Sequence, residues 1–162
     1  MIKVKIDIRD NRKDWDSMVN AVMGMSVKGG NAVDVGLFGE QGSDLVEYAS
    51  KNEFGDPTNF FHGHLAPIPP RPFIRLTFDD QKDRLQEKID KAKLDVILGK
   101  INKDIFLNRL GLFFQKCIVE KIDKSPEWAI ENAPSTKIAK GSSHPLIDSG
   151  RMRQSITHRI VK

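Results

Sequence analysis

Cysteine and long hydrophobic segments are almost absent from this chain of 162 residues. Its single cysteine, Cys117, excludes an intrachain disulfide and a cysteine-rich zinc site, so a reducing compartment is the simplest inference. No stretch approaches 18 apolar residues, which predicts that nothing spans a membrane. Residues 1–6 alternate apolar and charged side chains, so we expect no signal peptide.

A dense run of basic residues is also missing. The net charge is +4 and the isoelectric point is near 9.2, which is mildly basic. This charge fits an ordinary solvated surface, or contact with an anion such as DNA or an acidic protein face. The length and the 39% apolar content predict one domain, residues 1–162, with exposed loops or arms.

Candidate catalytic and metal-binding groups are sparse. His62, His64 and Asp56 have spacings that suit a metal or hydrolase site, but no further ligands accompany them. Cys117 lies in an aromatic and aliphatic segment that predicts a buried thiol. We therefore expect no metal, no cofactor and no enzymatic activity.

Two further patterns have structural interpretations. The glycines of residues 36–42 are spaced Gly-x-x-Gly-x-x-Gly, which matches neither the Walker nor the dinucleotide pattern, so a strand–turn–helix connection is favoured. Glu47 and Glu53 flank a helix end and have no base nearby that would tune them as an acid–base pair.

Hydrophobic periodicity predicts an alternation of strands and helices. Ser43, Asn102 and Ser135 are predicted helix N-caps. The predicted elements are strands over 2–8 and 32–38, helices over 15–23, 43–49, 73–101 and 102–122, a proline-rich loop over 58–72, and a C-terminal arm over 126–162 with an extended end at 154–161. The long helical segment, residues 73–123, holds the richest apolar stripe and is the predicted centre of the core.

Six cations cluster in the proline-rich loop and the C-terminal arm. They are Arg71, Arg75, Lys137, Lys140, Arg151 and Arg153. They are either ordinary surface charges or groups that meet acidic faces of partners or DNA phosphates. Near the last of them, Leu146 and Ile147 form an apolar pair in a polar segment, typical of a loop that contacts a neighbouring surface.

Two separate blocks carry a family resemblance. The first has Val-Asp-Val-Gly at 33–36, Tyr-Ala at 48–49, Asn-Glu-Phe-Gly at 52–55 and Ile-Pro-Pro-Arg-Pro-Phe at 68–73. The second has Ala-Pro-Ser-Thr-Lys at 133–137, Lys-Gly at 140–141, Pro-Leu-Ile-Asp-Ser-Gly-Arg-Met at 145–152 and Ser-Ile at 155–156. In this order, around a helical insert, they resemble the neck and tail-completion (virion morphogenesis) proteins of tailed bacteriophages, over residues 32–160.

This resemblance implies an α+β fold with a small mixed or antiparallel sheet flanked by helices. It also implies a non-enzymatic virion protein of the head–tail junction, made in the host cytoplasm, in a ring of six or twelve copies. Its partners would be head-closure or connector proteins and tail-terminator or tail-tube proteins, with non-specific contact to passing DNA. Mapped here, the expected assembly residues are Pro69, Arg71, Phe73, Lys137, Lys140, Leu146, Ile147, Asp148 and Arg151.

The chain departs from the family pattern at two places. The segment between Gly55 and Ile68 is long and contains two histidines and the pair Phe60-Phe61. Residues 129–132 (Ala-Ile-Glu-Asn) replace a more polar run. The alternative hypothesis is a small basic nucleic-acid-binding protein, although most aromatic residues occupy core spacings.

Overall fold

The computed structural model describes residues 32–61, 63–97 and 100–161. The predicted N-terminal strand (2–8) and helix (15–23) lie outside these residues, and so does His62. The single domain over 1–162 therefore stays a prediction. Within the described part, the predicted α+β class is confirmed, with a small antiparallel sheet flanked by helices.

Two long helices form the centre of the molecule. Helix α2 spans Phe73–Ile97 and helix α3 spans Lys103–Asp123. They run antiparallel, because Asp80 pairs with Lys121 while Lys88, two turns later, lies over Phe113. The predicted cap at Asn102 is confirmed, since its Oδ1 accepts a hydrogen bond from the Ile105 N–H at 2.8 Å.

The sheet joins distant parts of the chain. Strand β1, Ala32–Gly36, pairs antiparallel with strand β4, Thr157–Val161, in the register Ala32↔Val161 to Gly36↔Thr157. Val33 shares one face with His158, and this face packs on α3 at Gly111. A Cβ at Gly111 would lie 2.6 Å from His158 Cγ and 2.9 Å from Val33 Cγ2. Glycine is therefore what allows the sheet to approach the helix so closely.

The proline-rich segment contains a short β-hairpin that the sequence did not predict. Helix α1, Ser43–Phe54, ends before Gly55, which has φ near 79°. The segment predicted as a proline-rich loop over 58–72 contains strands β2, Phe60–Phe61, and β3, His64–Leu65, paired antiparallel. Backbone hydrogen bonds between Asp56 and Ile68, both 2.9 Å, close its base. These bonds satisfy backbone groups that a free loop would leave to water.

The C-terminal arm winds over the outside of the helices. It contains the short helices α4, Ser125–Trp128, α5, Pro134–Lys140, and α6, Arg151–Gln154, before β4. Two predicted caps were wrong. Gly42 and Ala133 occupy the N-cap positions, and Ser43 and Ser135 lie inside the helices. At α5 the proline Pro134 takes the first helical position, where its missing N–H costs nothing.

The core joins all these parts. Its most buried apolar side chains come from β1, α2, α3 and the arm, and Cys117 is buried as predicted. Burial raises the pKa of the Cys117 thiol, which keeps it protonated. The most buried core members are Val35, Phe73, Leu85, Phe114, Ile118, Ile122, Leu146 and Ile156.

Candidate functional site

The side chain of Arg71, from the first block that carries the family resemblance, binds the chain segment just before the second block. Arg71 as a whole residue is only 5% exposed. It donates to the backbone carbonyl oxygens of Ile130 (2.7 Å) and Glu131 (3.3 Å). It also donates to the side-chain oxygens of Asn52 and Asn132, both at 3.2 Å. One residue of the proline-rich loop thus fixes α1 and the C-terminal arm against each other.

All four acceptors of Arg71 are neutral. Burial lowers the pKa of Arg71, yet a guanidinium stays protonated at any ordinary pH. Its planar set of donors matches four oxygens, two of which belong to the buried side chains of Asn52 and Asn132. We call Arg71, Asn52 and Asn132, with the two carbonyl groups, the arginine junction.

A second buried contact beside the junction caps helix α2. Glu53, on α1, accepts hydrogen bonds from the backbone N–H groups of Ile74 (2.9 Å) and Arg75 (3.1 Å). These two groups belong to the first turn of α2, where a carboxylate also interacts favourably with the helix dipole. From the sequence, Glu53 was a candidate only for an acid–base pair. No local pattern predicts its capping role, because the N–H groups that it caps lie 21 and 22 positions further along the chain.

His144 organises the arm next to the arginine junction. Its carbonyl oxygen accepts hydrogen bonds from Asn132 Nδ2 (3.1 Å) and Lys140 Nζ (2.9 Å). Its ring contacts Ser125 Oγ at 3.2 Å and the Asp123 carbonyl oxygen at 3.1 Å. Burial lowers the pKa of Lys140. The hydrogen bonds of His144 therefore fix the end of the glycine–serine segment, residues 141–143, against the rest of the arm.

A cleft of about 290 Å³ opens between α1 and residues 146–152. Leu146 and Met152 are buried along it, and Tyr48 lines the α1 side. Arg151 reaches across to Asp44, with 3.4 Å between nitrogen and oxygen. Burial raises the pKa of the Tyr48 hydroxyl. The cleft has the mixed polar and apolar lining of a surface that receives a side chain, and its lining includes no nucleophile–base pair.

The predicted assembly residues differ in burial and in their partners within the chain. Arg71, Phe73 and Leu146 are buried within the chain, so substituting them would act through the fold. Lys137 pairs with Glu131, Lys140 binds the His144 carbonyl, and Arg151 pairs with Asp44. Residues with surface to offer a neighbour are Pro69, Ile147, Asp148 and Arg151. Their role in assembly stays a prediction.

Two apolar surfaces were missed by the sequence analysis. On the β2–β3 hairpin, Phe60 and Leu65 are directly cross-strand partners and are 67% and 59% exposed. We call this pair the hairpin patch. On the arm, Ile130 and Ile138 are 56% and 83% exposed and flank the Lys137–Glu131 ion pair. We call these two the arm patch. The Phe60-Phe61 departure was the sequence feature that pointed to the first.

Neither a metal-binding cluster nor a membrane-spanning helix occurs among the described residues. No group of three or more His, Cys, Asp and Glu among them is placed to hold a metal ion, and His64 is exposed. His62, the other half of the weighed pair, lies outside them. None of the described helices combines the length and apolar character needed to cross a bilayer. Comparisons with protein-family models, curated proteins and solved structures gave no match for this chain.

Proposed function

We propose that this chain is a structural protein of the bacteriophage head–tail junction, a neck or tail-completion protein. It forms a closed ring of six or twelve copies that joins the portal or connector to the tail and lets DNA pass. It acts by presenting surfaces to its neighbours, with no reaction to catalyse. Its place is the virion neck.

The observation that carries this proposal is the cleft between α1 and residues 146–152. Tyr48 of the first block lines it together with Leu146 and Met152 of the second block, although the two blocks are far apart in the sequence. A match of separate short motifs gains weight when those motifs build one unit. The exposed hairpin and arm patches support the same proposal, because neighbouring exposed apolar side chains are typical of surfaces that contact a partner.

The nucleic-acid-binding alternative has less support. Several predicted cations neutralise carboxylates of the chain itself, such as Arg153, whose Nε and Nη2 bind the two oxygens of Asp123. Ion pairs of this kind leave less charge for phosphates. Contact with DNA inside a ring needs only a modest positive surplus, which the net charge of +4 provides.

The test is deletion of the gene in the phage that encodes it, followed by electron microscopy of the lysate. We expect DNA-filled heads and completed tails that lie unjoined, and rescue by the intact gene supplied in trans. Normal infectious virions from the deletion would overturn the proposal. DNA-free heads would move the protein to an earlier step and would also contradict it.

A further inference from the structure

The hairpin and the arm helix share an unusual property, because each is ordered with little burial of its own. Helix α5 has seven residues, none of them buried. Helices shorter than about 12 residues are marginal in water, and a two-stranded hairpin is marginal as well. Both elements carry large apolar side chains that point away from the core. Each would gain stability from a covering surface.

Both elements are nevertheless fixed at their bases. The hairpin is closed by the Asp56–Ile68 backbone pair and by Asn59, whose side chain donates to the Ala66 carbonyl oxygen at 2.8 Å. Helix α5 is held by Pro134, by Lys140 bound to the arm, and by Gly141 in the left-handed conformation. Rigid elements of this kind lose little conformational entropy when they bind.

The charges beside the two patches are opposite in sign. At the base of the hairpin two carboxylates, Glu47 and Asp56, share the single ammonium group of Lys51 at 3.0 and 3.6 Å. The local surplus is therefore one negative charge.

Beside the arm patch, Lys140 and the buried Arg71 donate to neutral oxygens, and Lys137 is paired with Glu131. The carboxylate of Asp148, which interacts with Lys140, offsets one of the two unpaired positive charges. The local surplus there is positive.

We infer that the hairpin patch of one copy packs on the arm patch of a second copy of this chain. The apolar side chains Phe60 and Leu65 cover Ile138 and Ile130, and the charge surpluses attract one another across the rim. Each copy gives its hairpin to one neighbour and its arm to the other. A contact between two different patches is heterologous, and repeated with the right rotation it closes a ring. This inference rests on the proposed function.

Two paired variants test the contact by complementation. The hairpin variant carries Phe60→Ser and Leu65→Ser, and the arm variant carries Ile130→Ser and Ile138→Ser. We expect sedimentation velocity at about 100 µM to show oligomers for the unaltered chain and monomers for each variant alone, a loss of at least about 30-fold in affinity. An equimolar mixture of the two variants should form heterodimers that grow no further, because each retains one intact patch.

The control variant carries Ile105→Ser and Leu112→Ser. These side chains on α3 are 43% and 51% exposed, which is ordinary for scattered surface residues. This variant should associate like the unaltered chain, and thermal unfolding should show that all variants remain folded.

Three results would overturn the inference. They are an unaltered chain that stays monomeric, a single patch variant that still oligomerises, or a mixture that stays monomeric. In any of these cases the deletion experiment still decides the proposed function, because unjoined heads and tails do not depend on which surfaces touch.

Discussion

The arginine junction and the two exposed patches use side chains in opposite ways. At the junction a charged residue is buried and makes four hydrogen bonds to oxygens of the same chain. At the patches, apolar residues such as Ile138 stand in water with no such partners in the described residues. The first arrangement stabilises the monomer, and the second leaves free energy to be gained on association. Substitutions should therefore separate folding from assembly.

The largest expected effect is at the junction. Arg71→Met removes the donors to four oxygens, two of them on the buried side chains of Asn52 and Asn132, so we expect a loss of about 3 kcal/mol in the free energy of unfolding, measured by urea titration. Arg151→Met is the matched control, because its ion pair is exposed and should contribute less than about 1 kcal/mol. A junction variant as stable as the control would show that the buried contacts contribute nothing net.

A second change breaks the contact between sheet and helix. Gly111→Ala places a methyl group against His158 and Val33, and overpacking of this kind costs about 1 to 3 kcal/mol. Gly39→Ala is the control, because a Cβ there meets nothing within 4 Å. Thermal unfolding should separate the two variants. Equal midpoints of thermal unfolding would mean that the strand shifts at little cost, and that the close contact between the sheet and α3 is not required for stability.

A third change tests the cap that Glu53 provides for helix α2. Glu53→Gln keeps one oxygen for the first turn of α2 but loses the second acceptor and the charge, so we expect a loss of about 1 to 2 kcal/mol. Glu47→Gln removes an exposed carboxylate and should cost less than about 0.5 kcal/mol. Urea titration measures both. Equal free energies of unfolding for the two variants would show that the Glu53 cap does not stabilise the fold.

The smallest expected effect depends on pH. Hydrogen bonds from Arg153 lower the pKa of Asp123, so this carboxylate stabilises the fold above its unfolded pKa of about 3.9 and loses that effect as the pH falls through the folded value. Because the Asp123 side chain is 39% exposed, the contribution should stay below about 1 kcal/mol. Asp123→Asn should be less stable than the unaltered chain at pH 7. The gap should narrow below pH 4, and a constant gap would contradict the ion-pair origin.

Local patterns predicted the helices well and the site poorly. The apolar stripe and the Asn102 cap fixed α3, because periodicity and capping act within a few residues. Glu53 takes its role from residues 21 and 22 positions away, and Asn132 from residues 12 and 61 positions away, so no local pattern marked them. Arg71 was selected as an assembly residue because of its charge and its motif. Its burial follows from the tertiary packing of the arm, which sequence spacing does not encode.

The pairing of β1 with β4 has a consequence for the order of events during synthesis. Residue 32 finds its partner only at residue 161, so the sheet cannot form until the ribosome has released nearly the whole described chain. The arm that precedes β4 is likewise completed late. If copies associate through the proposed hairpin–arm contact, a nascent copy has its hairpin well before its own arm can accept another, so association waits for the arm. Contacts of such large sequence separation also form slowly, so folding of the subunit would then limit the rate of the proposed ring assembly.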